Sequence, residues 1–468
     1  MDNNNKKAIK SGMLYTLSNF FTRSIGLITT PIFTRLLTKS EFGLYNNYLS
    51  WTSLFLIIVT LNLDATLISA KYDYEDKFDE YIYSVLTLST ASTCAWLIIT
   101  NSFYTFFETF LGMDRICINA MLIYLLFFSA ITLFQARERY YFEYKISAIT
   151  SVILSLGTAF LSVILVMEMK DKLYGRIFGS VVPVIIIGAI CYIFFIGKGK
   201  KIKIDYWKYA IPICIPYIPH LLSLNLLNSM DRIMINKWCG SEDAALYSLA
   251  YTCGSLVTLL MVSMNSAYAP WLGEKLAAND FYSIRKFSRI YILAFSFLAM
   301  GLMLIAPELL YILGGESYAD AKYVMTPVAM GCVCQFLYTM FVNIEQFKKK
   351  TVGMAFASVL GALVNYVLNY LMIPRIGYLA AAYTTLVGYL CLLVVHMYLV
   401  YRLNYSKAYN YKMVIVVVVS MILITFLISF LYSNFVMRYA VVIGYITIFF
   451  MLLIKKKTKI LSLVKRRN

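Results

Sequence analysis

The sequence predicts an all-α integral membrane protein. It should hold about fourteen transmembrane helices, with two pseudo-symmetric six-helix halves followed by two C-terminal helices. Three observations predict this. Of 468 residues, 60% are hydrophobic and 14% charged, and the mean hydropathy is +0.71; the apolar runs are too many and too long for a soluble core. Lys and Arg collect on alternate connections between these runs. A polar motif from the start of the chain returns about 202 residues later.

The predicted spans lie at roughly 11–37, 43–70, 80–106, 115–136, 146–168, 174–197, 207–236, 244–272, 287–312, 320–344, 351–373, 377–401, 412–433 and 436–454. All are read as helices, because lipid offers no partner to open backbone groups. No cleavable signal peptide is expected, since the first residues are polar and the first apolar run is a full span. With the N-terminus placed in the cytoplasm, the connections on that side hold about 30 of the 42 Lys and Arg, and the opposite side about 10. That bias puts both termini inside and explains the net charge of +18 without nucleic acid.

The first span carries Arg23 near its middle, where a cation costs about 2.5–3.5 kcal/mol on insertion scales. Tyr15, Asn19, Thr22, Arg23, Gly26 and Thr30 share one helical face, and Pro31 removes a backbone bond where the helix can bend. This reads as a cavity-lining helix. It ends in Arg35, then Glu41-Phe42-Gly43-Leu44-Tyr45. At the same offset Lys237, Asp243, Ala245, Leu246 and Tyr247 repeat the pattern, preceded by Asn225, Ser229, Arg232 and Asn236. The halves are therefore 1–202 (spans 1–6) and 203–405 (spans 7–12), with 406–468 an appended lipid-facing pair of spans and a basic tail.

Asp64 is placed on span two, in helical register with Asn46, Ser50, Ser53 and Thr60, as a partner for Arg23. Asp231 and Arg232 point about 100° apart, so one needs a partner on a neighbouring helix. Pro212, Pro216 and Pro219 should kink span seven or serve as its hinge, and His220 follows them. Arg137, Arg139 and Lys275 sit at inner ends of spans, as snorkelling anchors or the mouth of an inward cavity. The nine Cys fall nearly all in apolar runs and there are two His, so no metal site is expected. No phosphate-cradling loop, catalytic constellation or large external loop is present to make the chain an enzyme.

Several stretches resemble a family. Ser11-Gly12-Met13-Leu14-Tyr15 through Thr34-Arg35-Leu36-Leu37 and Glu41–Tyr45 is similar to the first hairpin of polysaccharide-biosynthesis flippases. So are Asp231-Arg232-Ile233-Met234-Ile235 with Ala245-Leu246-Tyr247-Ser248, and Ile373-Pro374-Arg375-Ile376-Gly377 with Ala380-Ala381-Ala382. The family is the Wzx-type lipid-linked oligosaccharide flippases, in the superfamily of multidrug and toxin extrusion transporters. The resemblance implies two lobes in a V around a central cavity, plus two extra helices. It implies a polyprenyl-pyrophosphate oligosaccharide as substrate, carried by alternating access across a bacterial plasma membrane for capsule, O-antigen or exopolysaccharide synthesis. Arg23, Asn19, Asp64, Asn225, Asp231 and Arg232 are the candidate substrate-binding residues. Membrane lipids and other glycan-assembly proteins are the expected partners, the chain is expected as a monomer, and no cofactor is expected beyond proton or sodium coupling. The rivals are a drug exporter of the same fold, which would favour an acidic cavity, and a non-transporting scaffold, which leaves Arg23 and Asp64 unexplained.

Overall fold

The computed structural model describes residues 22 and 24–465, apart from 142, 200, 216, 217 and 349. Asn19, Arg23 and Pro216 lie outside the described residues, as does the side chain of His220. Among the described residues the regular structure is entirely helical. In chain order the helices are α1 (24–36), α2 (Lys39–Val59), α3 (Leu67–Asp73), α4 (Phe78–Ser102), α5 (Tyr104–Leu111) and α6 (Arg115–Tyr140). They continue with α7 (Tyr144–Glu168), α8 (Lys172–Gly199), α9 (Ile204–Cys214), α10 (Ile218–Trp238), α11 (Ser241–Ala277) and α12 (Phe281–Leu304). The last six are α13 (Ala306–Gly314), α14 (Lys322–Phe347), α15 (Thr351–Ile376), α16 (Tyr378–Arg402), α17 (Tyr411–Leu431) and α18 (Phe435–Lys465). Ten helices among the described residues are long and apolar enough to cross a membrane, and Phe435–Phe449 is a shorter apolar stretch. The chain is a multi-pass membrane protein.

Several predicted spans are interrupted; spans three and nine break at Phe103 and Ile305. Span two stops as α2 at Val59 and resumes as a 3-10 turn, Leu63–Thr66, then α3. Leu61 (φ 57°) and Asn62 (φ 49°) are both left-handed, which ends an α-helix whatever the hydropathy. Span seven is covered by α9, which contains Pro212, and α10, whose second residue is Pro219, with 216 and 217 outside the described residues. Pro31 lies within the continuous helix α1.

The chain forms two compact units, Met1–Ser248 with Ser358–Thr384, and Leu249–Ala357 with Thr385–Asn468. This division differs from the predicted halves 1–202 and 203–405, since α10 packs along α2 inside the first unit. One core of that unit sets Tyr48, Trp51, Leu54 and Phe55 of α2 against Cys117, Met121 and Leu125 of α6 and Ile177 and Val181 of α8. A second gathers Leu67 and Ala70 of α3, Tyr81 and Val85 of α4, Ile131 of α6, Phe195 of α8 and Ala210 of α9. The helices α7 and α8 approach so closely that a Cβ on Gly179 would lie 2.2 Å from the Ser162 Cα, which is why a small residue stands there. Their other faces expose Ile149, Ile153, Phe160, Ile186, Ile190 and Ile193, a surface suited to lipid.

In the second unit α12, α14, α17 and α18 pack together. The terminal pair is more than an appended lipid-facing pair. One face of α17, with Val414, Val417, Met421, Thr425 and Ile428, is buried. Arg438 of α18 is 5% exposed and holds Glu308 of α13 through two bonds of 2.7 and 2.5 Å, with a third to the Leu304 carbonyl at 3.1 Å. Tyr439 adds a bond to the same carboxylate at 2.6 Å.

Candidate functional site

Three clusters of polar groups among the described residues of the first unit bear on the predicted site residues. The first surrounds the end of α2. Asp64 occupies the 3-10 turn rather than an α-helical register, so it does not continue the face of Asn46, Ser50 and Thr60. The left-handed pair at 61–62 turns it away. The Asn62 carbonyl, freed from the helix, accepts from the Cys214 thiol at 3.6 Å, and Tyr81 donates to Thr66 at 2.7 Å. Irregular backbone at membrane depth persists only where protein or a cavity satisfies it, and here neighbouring helices do so. Among the described residues, the charge that acts on Asp64 is Arg139 of α6. Two residues earlier, Arg137 is clamped by Asp79 of α4 at 2.6 and 2.9 Å and by Glu138 at 2.6 Å. Its guanidinium also lies over Tyr141 (4.5 Å) and Phe194 (5.0 Å). Arg137 is therefore held in an ion-pair network that ties α4 to α6, rather than standing as a lone snorkelling anchor. With Lys198 and Glu138 it lines an open crevice of about 450 Å³ walled by Ile146, Ile187 and Ile190.

The second cluster encloses Asp231 of α10, 1% exposed. Its carboxylate accepts from the Tyr247 hydroxyl of α11 and from the Asn369 amide of α15 at 2.5 Å. Asn369 also donates to Asn365 at 3.2 Å and accepts from Thr384 of α16. The partner on a neighbouring helix that the Asp231–Arg232 spacing requires is thus present. A carboxylate, two amide oxygens and a hydroxyl offer hard oxygen donors of the kind that suits a small cation or a proton. Arg232 beside it is partly buried, and the Asn225 amide turns back to its own helix, to Leu221 O at 3.4 Å.

The third is a seam between the two copies of the repeated motif. Thr38 caps α2 and Glu41 returns the bond, a reciprocal capping box. Ser40 meets Ser241, the first residue of α11, at 2.8 Å, and Gly43 lies directly against the Ser241 backbone. Further along, Ser53 of α2 meets Ser229 of α10 at 3.2 Å. The seam is made of small residues and neutral hydrogen bonds, which are individually weak.

Lys275, in the second unit, pairs with Asp280 at 3.1 Å in the α11–α12 turn. Ser283 hydrogen bonds and Lys275 pull the exposed Asp280 carboxyl down to about 2, so it stays ionised and caps α12 through ordinary pH. Sequence reasoning missed several groups. Arg176 of α8 donates to Ser162 at 2.6 Å and lies over Phe33 (3.8 Å) and Tyr45 (4.3 Å). Asn365 and Asn369, four residues apart in an apolar run, were the visible signal for the Asp231 cluster.

Comparison with known proteins gives a consistent result. The sequence model described as polysaccharide biosynthesis protein matches residues 8–275, and that described as MatE matches 216–371. A curated relative from Haemophilus influenzae, Lsg locus putative protein 1, is 19% identical over 372 residues, covering 76% of this chain and 89% of its own. Among solved structures, the lipid II flippase MurJ in an inward closed conformation aligns with a TM-score of 0.74 at 14% identity, over 94% of this chain and 100% of that one. An inward-facing multidrug resistance MATE transporter aligns at 0.53 with 13% identity, over 82% and 98%. The fold is shared with both, and the resemblance read from the sequence is borne out.

Proposed function

Because the chain belongs to the polysaccharide biosynthesis protein family, we propose that it is a flippase for a polyprenyl-pyrophosphate-linked oligosaccharide. It moves this lipid from the cytoplasmic to the outer leaflet of a bacterial plasma membrane by alternating access, with both termini inside. The observation that carries the reading is the family match across residues 8–275, a stretch that includes the mid-span Arg23 and its polar face. A pyrophosphate cannot enter hydrocarbon unaided, because burying an ionised group is prohibitive. An Arg fork matches phosphate oxygens in two bonds and replaces their water. Asn19, Asn225 and Arg232 would extend the polar wall to the sugar hydroxyls.

Two features support motion. The α2 break at 61–62 is a discontinuity of the kind transporters place at their sites. Pro31, Pro212, Pro216 and Pro219 would act as hinges, with Arg137, Arg139 and Lys275 drawing the anionic headgroup to the inner mouth. Coupling to sodium or a proton is assigned to the buried Asp231 carboxylate, which could trade its hydrogen bonds for the ion. The MatE match over 216–371 favours, as a second reading, an exporter of cationic drugs. The test is glycan export in cells that depend on this chain. Arg23→Ala should keep protein abundance and abolish export, and Arg23→Lys should retain part of it. Full export by an abundant Arg23→Ala protein, or dye efflux without glycan export, would overturn the reading.

A further inference from the structure

The second unit carries a pocket of about 460 Å³ where the α14–α15 turn meets the end of α16. Glu345, Lys350, Gly353, Tyr398, Leu399 and Arg402 are among the residues that line it. The turn itself gathers them. The Lys350 amide donates to the Glu345 carbonyl at 3.0 Å, which closes α14 and sets the two residues side by side. Gly353 of α15 then faces Leu399 of α16, where a Cβ would stand 3.2 Å from Leu399 Cδ1. A larger residue there would fill the space.

The lining has two polar parts. At depth is Glu345, with its side chain 1% exposed. Its Oε1 meets His396 Nδ1 at 2.7 Å, and Tyr338 stacks on that imidazole at 5.6 Å. These contacts hold the carboxyl group in place. The other oxygen, Oε2, is buried and has no hydrogen-bond partner among the described residues. A carboxyl group kept only for packing would have both oxygens satisfied, so a donor from outside the chain is called for. At the rim are Lys350 and Arg402, both exposed. Neither forms an ion pair among the described residues. Arg402 donates to the Tyr398 hydroxyl at 3.2 Å, which uses one of its five N–H groups. Beside the pocket Val352 and Phe356 of α15 and Val394 of α16 are exposed, an apolar surface suited to acyl chains.

A ligand that fits all three parts carries a phosphate for the rim, an N–H-bearing cation for Oε2 and hydrocarbon for the outer faces. We propose that this pocket binds a phospholipid with a primary-amine headgroup, a phosphoethanolamine lipid. Its ammonium donates to Glu345 Oε2 and its phosphate rests between Lys350 and Arg402. The volume suits a small polar group, since such pockets span about 300–1,000 Å³. The cation also offsets the charge that a buried carboxylate carries. A glycerol headgroup would serve the rim but bring no cation to Glu345. A trimethylated ammonium would bring charge without an N–H, and such groups are held by aromatic cages, whereas this lining offers the Tyr398 ring. The bound lipid is a resident of the second unit and is distinct from any cargo, so the proposal does not depend on the transport function.

The test uses the full chain, purified in detergent and stripped of lipid. It is titrated with dioleoyl phosphatidylethanolamine, phosphatidylcholine or phosphatidylglycerol, and bound lipid is counted by native mass spectrometry. The ethanolamine lipid should bind about tenfold more tightly than the other two. Glu345→Gln keeps the shape and removes the charge; it should erase that preference and leave binding of the other two lipids unchanged. Replacing the exposed pair, Lys350→Gln with Arg402→Gln, should weaken all three. Equal binding of the three headgroups by the wild type overturns the site, as does a preference that survives Glu345→Gln. Tightest binding of phosphatidylglycerol makes the pocket a plain anion site and overturns the amine assignment. Displacement of the lipid by an equal concentration of soluble phosphoethanolamine shows that the chains are not recognised and overturns the lipid assignment. If Glu345→Gln does not fold, the wild-type headgroup series and the rim pair decide, and a rim variant that binds as the wild type does overturns the proposal. Each of these outcomes is read without transport and leaves the flippase reading where it stands.

Discussion

Gly43→Ala should pry open the seam between α2 and α11. A Cβ there would lie 1.8 Å from the Ser241 carbonyl oxygen, 2.6 Å from its carbon and 3.1 Å from its Cα. All three atoms are backbone, so no side-chain rotation relieves the clash. Ordinary contact begins at about 3.5 Å, so the two helix starts must separate by roughly 1.5 Å. Overpacking of this kind costs about 1–3 kcal/mol, and the separation breaks the 2.8 Å bond between Ser40 and Ser241. The assay is oxidation of a Ser40→Cys, Ser241→Cys pair in a chain whose native cysteines are replaced. With Gly43 present the pair should cross-link readily; with Gly43→Ala it should do so about tenfold less well, the ratio expected for about 1.4 kcal/mol. Locking the pair by oxidation should stop lipid transfer, and a reductant should restore it. Equal cross-linking in both backgrounds would refute the packing argument, and full transfer by the locked protein would refute the seam's role in the cycle.

Replacing Pro212, Pro216 and Pro219 together with Ala should straighten predicted span seven and slow transport with little loss of protein in the membrane; unchanged transport counts against a hinge. Arg438→Ala removes two bonds to Glu308 and one to the Leu304 carbonyl. It should lower stability by roughly 2–3 kcal/mol, since Glu308 keeps some solvent, and thermal unfolding of the purified protein reads this directly. An unshifted unfolding temperature would mean that α18 is not docked by this pair.

Most of the architecture was legible because lipid imposes a strong pattern. Apolar length and the Lys and Arg bias need no knowledge of tertiary contacts, and ten described helices are long and apolar enough to cross a membrane. The repeat was legible in Glu41–Tyr45 and Asp243–Tyr247, whose hairpins meet at Ser40 and Ser241. The α2 break was not, since Leu61 is no helix breaker by propensity and its left-handed backbone is set by the surroundings. Asp231 could be seen to need a partner, but Asn369 lies 138 residues away and its choice is a tertiary fact. Glu345 stands just before Lys348–Lys350 and His396 lies within an apolar helix, yet the two meet at 2.7 Å. Their pairing joins two spans that hydropathy treats as unrelated. The Arg438–Glu308 pair was not legible either, since nothing local distinguishes Arg438 from a cation at the membrane surface.

The central claim is that this chain moves a pyrophosphate-linked glycan between leaflets. Purified protein in proteoliposomes, loaded with a fluorescent polyprenyl-pyrophosphoryl saccharide on one leaflet and read by a membrane-impermeant quencher, tests it most directly. The account predicts that the wild type moves the probe to the other leaflet, that Arg23→Ala does not, and that a cationic dye trapped on the same side stays where it is. A probe that remains in its original leaflet while the dye is exported would contradict it.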